Sequence, residues 1–92
     1  MLNLEYQTQF RKDMKTIMKR GLDINLLKKA VGTLQDGEKL PEIYRDHQLS
    51  GRWSGYRDCH IKSDWILIYE IIEETNTLRL VRTGSHSDIG LA

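Results

Sequence analysis

Three histidines in the second half of the chain, His47, His60 and His86, carry most of the chemistry this sequence offers. An imidazole titrates near neutrality, so it can both take and give a proton at ordinary pH. Each histidine has charged company along the chain. Asp46 precedes His47, Asp58 lies two residues before His60 with Asp64 in the turn beyond, and Arg82 stands shortly before His86. Residues two apart on a strand share a face, so Asp58 and His60 point the same way if that stretch is extended. A guanidinium such as that of Arg82 suits charge developing on a phosphate. Imidazoles, carboxylates and an arginine together suit proton transfer at a phosphate ester.

Other chemistries fit less well. The spacing His-x12-His-x3-Asp-x21-His matches no compact zinc pattern, so no metal site is expected. Cys59 alternates with Asp58 and His60 and reads as a buried, inert thiol on the opposite face. Trp53, Tyr56 and Trp65 have ring faces that could meet bases, but packing is the default use for each. Gly51 and Gly55 form no dinucleotide fingerprint, so no cofactor is expected.

The elements that must position these residues are legible from periodicity. Residues 2–6 alternate and predict a short strand. Thr8 is the expected cap of a first helix carrying Phe10, Met14, Ile17 and Met18 as one apolar stripe, ended by Gly21. Asp23 is the expected cap of a second helix with Leu27, Ala30, Val31 and Leu34 inward, running up to Gly37. The stretch from Leu40 to Gly55 reads mainly as loop. Tyr56–Ile61, Trp65–Ile72 and Leu78–Thr83 predict three strands, with one last helical turn from Ser85 to Ile89. Both side-chain parities of 65–72 are apolar, which predicts a central strand covered on both faces. The hairpin of helices covers one face, and a partner chain or a groove is expected at the other. The order β-α-α-β-β-β defines an α+β fold, a helical hairpin on one face of a small, mainly antiparallel sheet.

Ninety-two residues suffice for one domain, expected to span 1–92. No apolar run is long enough to cross a bilayer, no secretory signal is visible, and a lone cysteine suits a reducing compartment, so a cytoplasmic protein without a membrane partner is expected. Fourteen Lys and Arg against thirteen Asp and Glu give a net charge of +1, which names no partner. The stretch 11–29 is locally basic, through Lys12, Lys15, Lys19, Lys28 and Lys29 among others, and could meet RNA phosphate or simply be a solvated face.

One run goes beyond composition. Tyr44 to Tyr69, with Asp-His-x-Leu, Gly-x-Trp-x-Gly-Tyr-Arg-Asp-x-His and Asp-Trp-Ile-Leu-Ile-Tyr, closely resembles the YafQ-type toxins of the RelE/ParE superfamily. The closing Arg82-Thr-Gly-Ser-His86 resembles that family's last motif. The resemblance implies the RelE-like fold and a bacterial type II toxin that cuts mRNA in the ribosomal A site. It also implies an antitoxin that holds it inactive in a heteromeric complex, and contact with ribosomal RNA for which the five lysines are candidates. By the same resemblance His47, His60, Asp64 and His86 are catalytic, Arg82 steadies the phosphate, and Asp58 and Trp65 support them; no cofactor or metal is implied. Two departures stand out. The tail Ser87 to Ala92 has no aromatic residue where relatives often place one, and Asp88 brings negative charge near the site. The ParE branch poisons gyrase without cutting RNA, and a module that only binds antitoxin is a further alternative; the histidine–carboxylate set distinguishes a nuclease from both.

Overall fold

In the computed structural model, which describes residues 1–91, one five-stranded sheet has the order β1-β5-β4-β3-β2. Its strands are β1 (Asn3–Tyr6), β2 (His47–Gln48), β3 (Arg57–Lys62), β4 (Trp65–Ile72) and β5 (Thr77–Gly84). The helices are α1 (Thr8–Lys19), α2 (Ile24–Gln35) and the single turn α3 (His86–Ile89). β1 runs parallel to β5 and every other pairing is antiparallel. The α+β fold and the hairpin of helices are as the sequence predicts.

Local chemistry accounts for most element ends. Asp23 accepts a hydrogen bond from Asn25 N at 3.0 Å and caps α2, whose Leu27, Ala30, Val31 and Leu34 are all buried. Ser85 caps α3 through a reciprocal pairing with Asp88. Thr8 does not cap α1: it is the first helical residue, and Gln7 precedes it with no side-chain bond. The α1 stripe also differs from expectation. Met18 is 64% exposed, while Asp13 takes a buried place between Phe10 and Ile17. The loop of 40–55 contains a two-residue strand, β2, that periodicity could not reveal at so short a length.

The two faces of the sheet have separate cores. Leu67, Tyr69, Leu78, Leu80 and Cys59 pack under the helical hairpin with Phe10, Ile17, Leu27, Val31 and Leu34. Ile66 and Ile68 point to the other face, where Ile89, Leu49, Trp53, Tyr56, Val81 and Leu91 cover them. The chain therefore roofs that second face with its own loop and tail; a partner is not needed there. The short roof leaves β3 bare beyond Asp58, because β2 pairs only with Arg57 and Asp58.

Candidate active site

β2 lays His47 opposite Asp58 on β3. His47 Nδ1 lies 2.7 Å from the Arg45 carbonyl oxygen and 3.0 Å from Asp58 Oδ1. One ring proton serves one acceptor well, and Asp58 Oδ1 is left without an aligned hydrogen bond among the described residues. Asp58 is only 3% exposed. Its burial raises the carboxyl pKa above the usual aspartate value, opposed by the charges of His47, His60 and His86.

His60 lies two residues along β3 on the same face, and its ring centroid is 5.2 Å from that of His86. His86 opens α3. Its Nδ1 stands 2.7 Å from Asp64 Oδ1, and its backbone N–H donates to the same oxygen at 3.1 Å. Asp64 sits in the two-residue turn between β3 and β4, so the turn and the tail are tied at the site. The bonds from His86 hold the Asp64 carboxyl below its usual range. α3 is in turn held by Arg20 of α1, which grips Asp88 through two hydrogen bonds of 2.6 and 2.9 Å. Arg20 thus meets the negative charge of Asp88, whose pKa is lowered chiefly by that bond. A side chain at Gly84, whose φ is +150°, would bring its Cβ to 2.9 Å from Asp88 Oδ2, which accounts for glycine before this turn.

A titration tests the Asp64–His86 pair. Carboxyl NMR is expected to show Asp64 titrating below the ordinary aspartate value, and moving part of the way back towards it in His86→Ala, which keeps the backbone N–H bond but loses the imidazole. The sign follows from linkage: with a lowered native pKa, the stabilisation is present above the unfolded value and is lost as pH falls through the native one. An Asp64 that titrates identically in both proteins would contradict the pairing.

A second set of residues holds His47 in place. Asp46 Oδ2 accepts from the Tyr69 hydroxyl at 2.6 Å, and Asp46 Oδ1 accepts from Arg57 Nε at 3.1 Å. Tyr69 is buried in β4, so Asp46 pins the loop to the centre of the sheet one residue before His47. Asp46→Ala is expected to cost about 1.5–3 kcal/mol by removing an ionised acceptor from two donors. Denaturant titration would measure it; an unchanged midpoint would show that the loop is held otherwise.

Not every residue singled out by sequence joins the cluster. Arg82 donates from Nε and Nη2 to Asp13 at 2.8 and 3.2 Å, and Thr83 N donates to the same carboxylate at 3.1 Å. Its guanidinium is thus largely committed to α1, with Nη1 left over. Trp65 is 3% exposed, and its Nε1 donates to Thr83 Oγ1 at 2.9 Å, so it acts as core under the site and presents no face to a base. Lys12, Lys15, Lys19, Lys28 and Lys29 are exposed on the helical hairpin, across the sheet from Asp58 and His60. Cys59 is fully buried beneath the hairpin, where burial raises its thiol pKa. Sequence reading missed Asp13, Arg20 and the Asp46–Arg57–Tyr69 group. Only Asp13 left a signal, a carboxylate at i, i+3, i+7 spacing between Phe10 and Ile17.

A helical hairpin behind a small α+β sheet, with imidazoles and carboxylates at its uncovered end, is consistent with the RelE-like class of toxins. The chain belongs within it to the YafQ family, whose model, described as a bacterial toxin of type II toxin-antitoxin systems, matches residues 2–90. The mRNA interferase toxin YafQ of Escherichia coli K12 is 44% identical over 86 residues, covering 92% of this chain and 91% of that protein. The structure of a metal-bound toxin from Helicobacter pylori is 45% identical, with a TM-score of 0.91 over 97% of this chain and 99% of that one. The E. coli DinJ–YafQ complex matches with 42% identity and a TM-score of 0.86, over 97% and 98% of the two chains. Among the described residues, no three His, Cys, Asp or Glu side chains come together as a metal site. Nor is any helix among them long and apolar enough to cross a membrane.

Proposed function

We propose that this chain is the toxin of a type II pair, an endoribonuclease that cuts mRNA in the ribosomal A site and is restrained by a cognate antitoxin. Its family membership and its likeness to an mRNA interferase and to a toxin in complex with its antitoxin support this. A toxin that acts on ribosomes would work in the bacterial cytoplasm. Two cores on either side of one sheet support a single domain over 1–92. The observation that carries the catalytic reading is the pairing of His86 with Asp64 within 5.2 Å of the His60 ring.

Those groups have complementary tasks. A base of the cluster, one of His60, Asp64 or His47, takes the proton of an RNA 2′-hydroxyl or orients the group that does. The 2′-oxygen attacks the adjacent phosphorus, and His86 gives a proton to the departing 5′-oxygen. Asp64 accepting at Nδ1 fixes the His86 tautomer and leaves Nε2 to carry that proton. Asp58, 3.0 Å from His47 Nδ1, orients that imidazole from beneath. Arg82 keeps Nη1 for a phosphate oxygen while Asp13 fixes the rest of its guanidinium. The five hairpin lysines remain candidates for ribosomal RNA contact, on a surface separate from the chemistry. A gyrase-binding protein would have no use for the Asp64–His86 pair.

The mechanism is tested by the ends it leaves. Products should carry a 2′,3′-cyclic phosphate or 3′-phosphate and a 5′-hydroxyl, and a 2′-deoxy nucleotide at the cut should abolish cleavage. Continued cutting of the deoxy substrate, or a 5′-phosphate on the product, would overturn it.

A further inference from the structure

A cavity of about 700 Å³ opens beside His60 on the side of β3 that β2 leaves bare. Ile43, Tyr44 and Arg45 form one wall, and His60, Ile61, Lys62 and Ser63 the other. None of the five hairpin lysines lines it, nor does any carboxylate. Arg45 and Lys62 are both exposed, and neither takes part in an ion pair among the described residues, whereas Arg20, Arg57, Arg79 and Arg82 all do.

Two further features mark this cleft. Arg45 adopts a left-handed backbone conformation, φ 50°, that a branched-free but bulky residue rarely holds. That conformation ends the turn Glu42–Tyr44, and the Arg45 carbonyl is the acceptor facing His47. Strain of this kind persists where the surroundings dictate it, and it clusters at functional sites. Ile43 is 83% exposed, more than any other large apolar side chain described except Met1. Uncovered apolar surface in a cleft that also carries two exposed cations suits a nucleotide, whose base is flat and apolar-faced and whose phosphate is anionic.

We propose that the Arg45–Lys62 cleft is a subsite for single-stranded RNA, binding the phosphodiester next to the one that is cut on the side of His60 away from His86, with its base against Ile43 and Tyr44. The proposal rests on the RNA-cleavage reading and names a part of the substrate that the histidine cluster does not hold. Arg45 and Lys62 are binding residues in it, and they take no part in proton transfer.

Arg45→Gly and Lys62→Gln test it. Glycine adopts φ 50° without strain and keeps the carbonyl that faces His47, so the first variant removes the side chain and its charge while preserving the turn. Lys62 is exposed at the end of β3, and glutamine preserves its stem. The probe is a short single-stranded RNA with a 2′-deoxy nucleotide at the cut, bound to the full chain at several salt concentrations. Each variant is expected to weaken binding several-fold and to flatten the slope of log affinity against log salt by about 0.7, the share of one phosphate on a single strand. On mRNA-programmed ribosomes both should raise KM more than they lower kcat. RNA affinity and slope equal to wild type would overturn the subsite. So would a loss confined to binding of ribosomes without mRNA, which would assign the cations to ribosomal RNA. Wild-type protein that cuts no RNA would defeat the cleavage reading instead, and the binding comparison would still decide the subsite.

Discussion

Replacing His86 with alanine is expected to lower RNA cleavage by about 10²- to 10⁴-fold, the usual worth of one positioned acid or base. The fold should survive, because α3 does not depend on the imidazole. Ile89 is buried in the second core, Ser85 and Asp88 cap the turn, and Arg20 ties Asp88 to α1. The loss should fall on kcat, since the ring acts on charge that develops only as the 5′-oxygen departs. Circular dichroism and a thermal melt near wild type would separate lost chemistry from lost structure. A variant that cuts at the wild-type rate would remove His86 from the mechanism.

Asp13→Ala is expected to destabilise the protein by about 3–5 kcal/mol, the cost of breaking a buried ion pair from one side. Asp13 is 8% exposed and accepts from Arg82 Nε, Arg82 Nη2 and Thr83 N, which join α1 to the end of β5. Alanine leaves all three donors unpaired and the guanidinium without its counter-charge. A small domain has about 5–15 kcal/mol in total, so the change consumes a large part of it. At about 4–8 °C per kcal/mol for a domain of this size, the melting temperature should fall by at least about 12 °C. Replacing Asp13 and Arg82 together by leucine and methionine should recover part of the loss, because a buried pair is often matched by apolar residues of like volume, while the Thr83 N–H still lacks its acceptor. That double variant would still lack the Arg82 guanidinium and should cut RNA poorly. Asp13→Ala with an unchanged melt would show that the pair contributes nothing to the fold.

The parts of this molecule that were legible in sequence are those set by neighbours along the chain. Asp23 caps α2 through a bond two residues away, and the expected last turn from Ser85 to Ile89 is held by one spanning three residues. The stripe of Leu27, Ala30, Val31 and Leu34 needs only helical periodicity, and the apolar run of β4 needs only its own composition. Of the motif residues, His47 lies against Asp58, and His60 lies beside the His86 that pairs with Asp64. What stayed hidden depends on contacts distant in sequence. Asp13 meets Arg82 across 69 positions, and Arg20 meets Asp88 across 68. No local pattern announces that an aspartate will sit inside an apolar stripe because an arginine on β5 awaits it. The parallel pairing of β1 with β5 is of the same kind. β2 was invisible for a different reason, since two residues cannot display a period. The cover over Ile66 and Ile68 was missed because the roof is a loop and a single turn, whose Trp53, Tyr56 and Ile89 follow no repeat.

The measurement that most directly tests the central claim is cleavage of a defined mRNA by the purified chain, with and without ribosomes programmed on that message. Cuts at the A-site codon that require the ribosome and leave a 5′-hydroxyl are the predicted result. Intact message under both conditions, from protein that is folded and free of antitoxin, would contradict the account and reduce the histidine cluster to a structural feature.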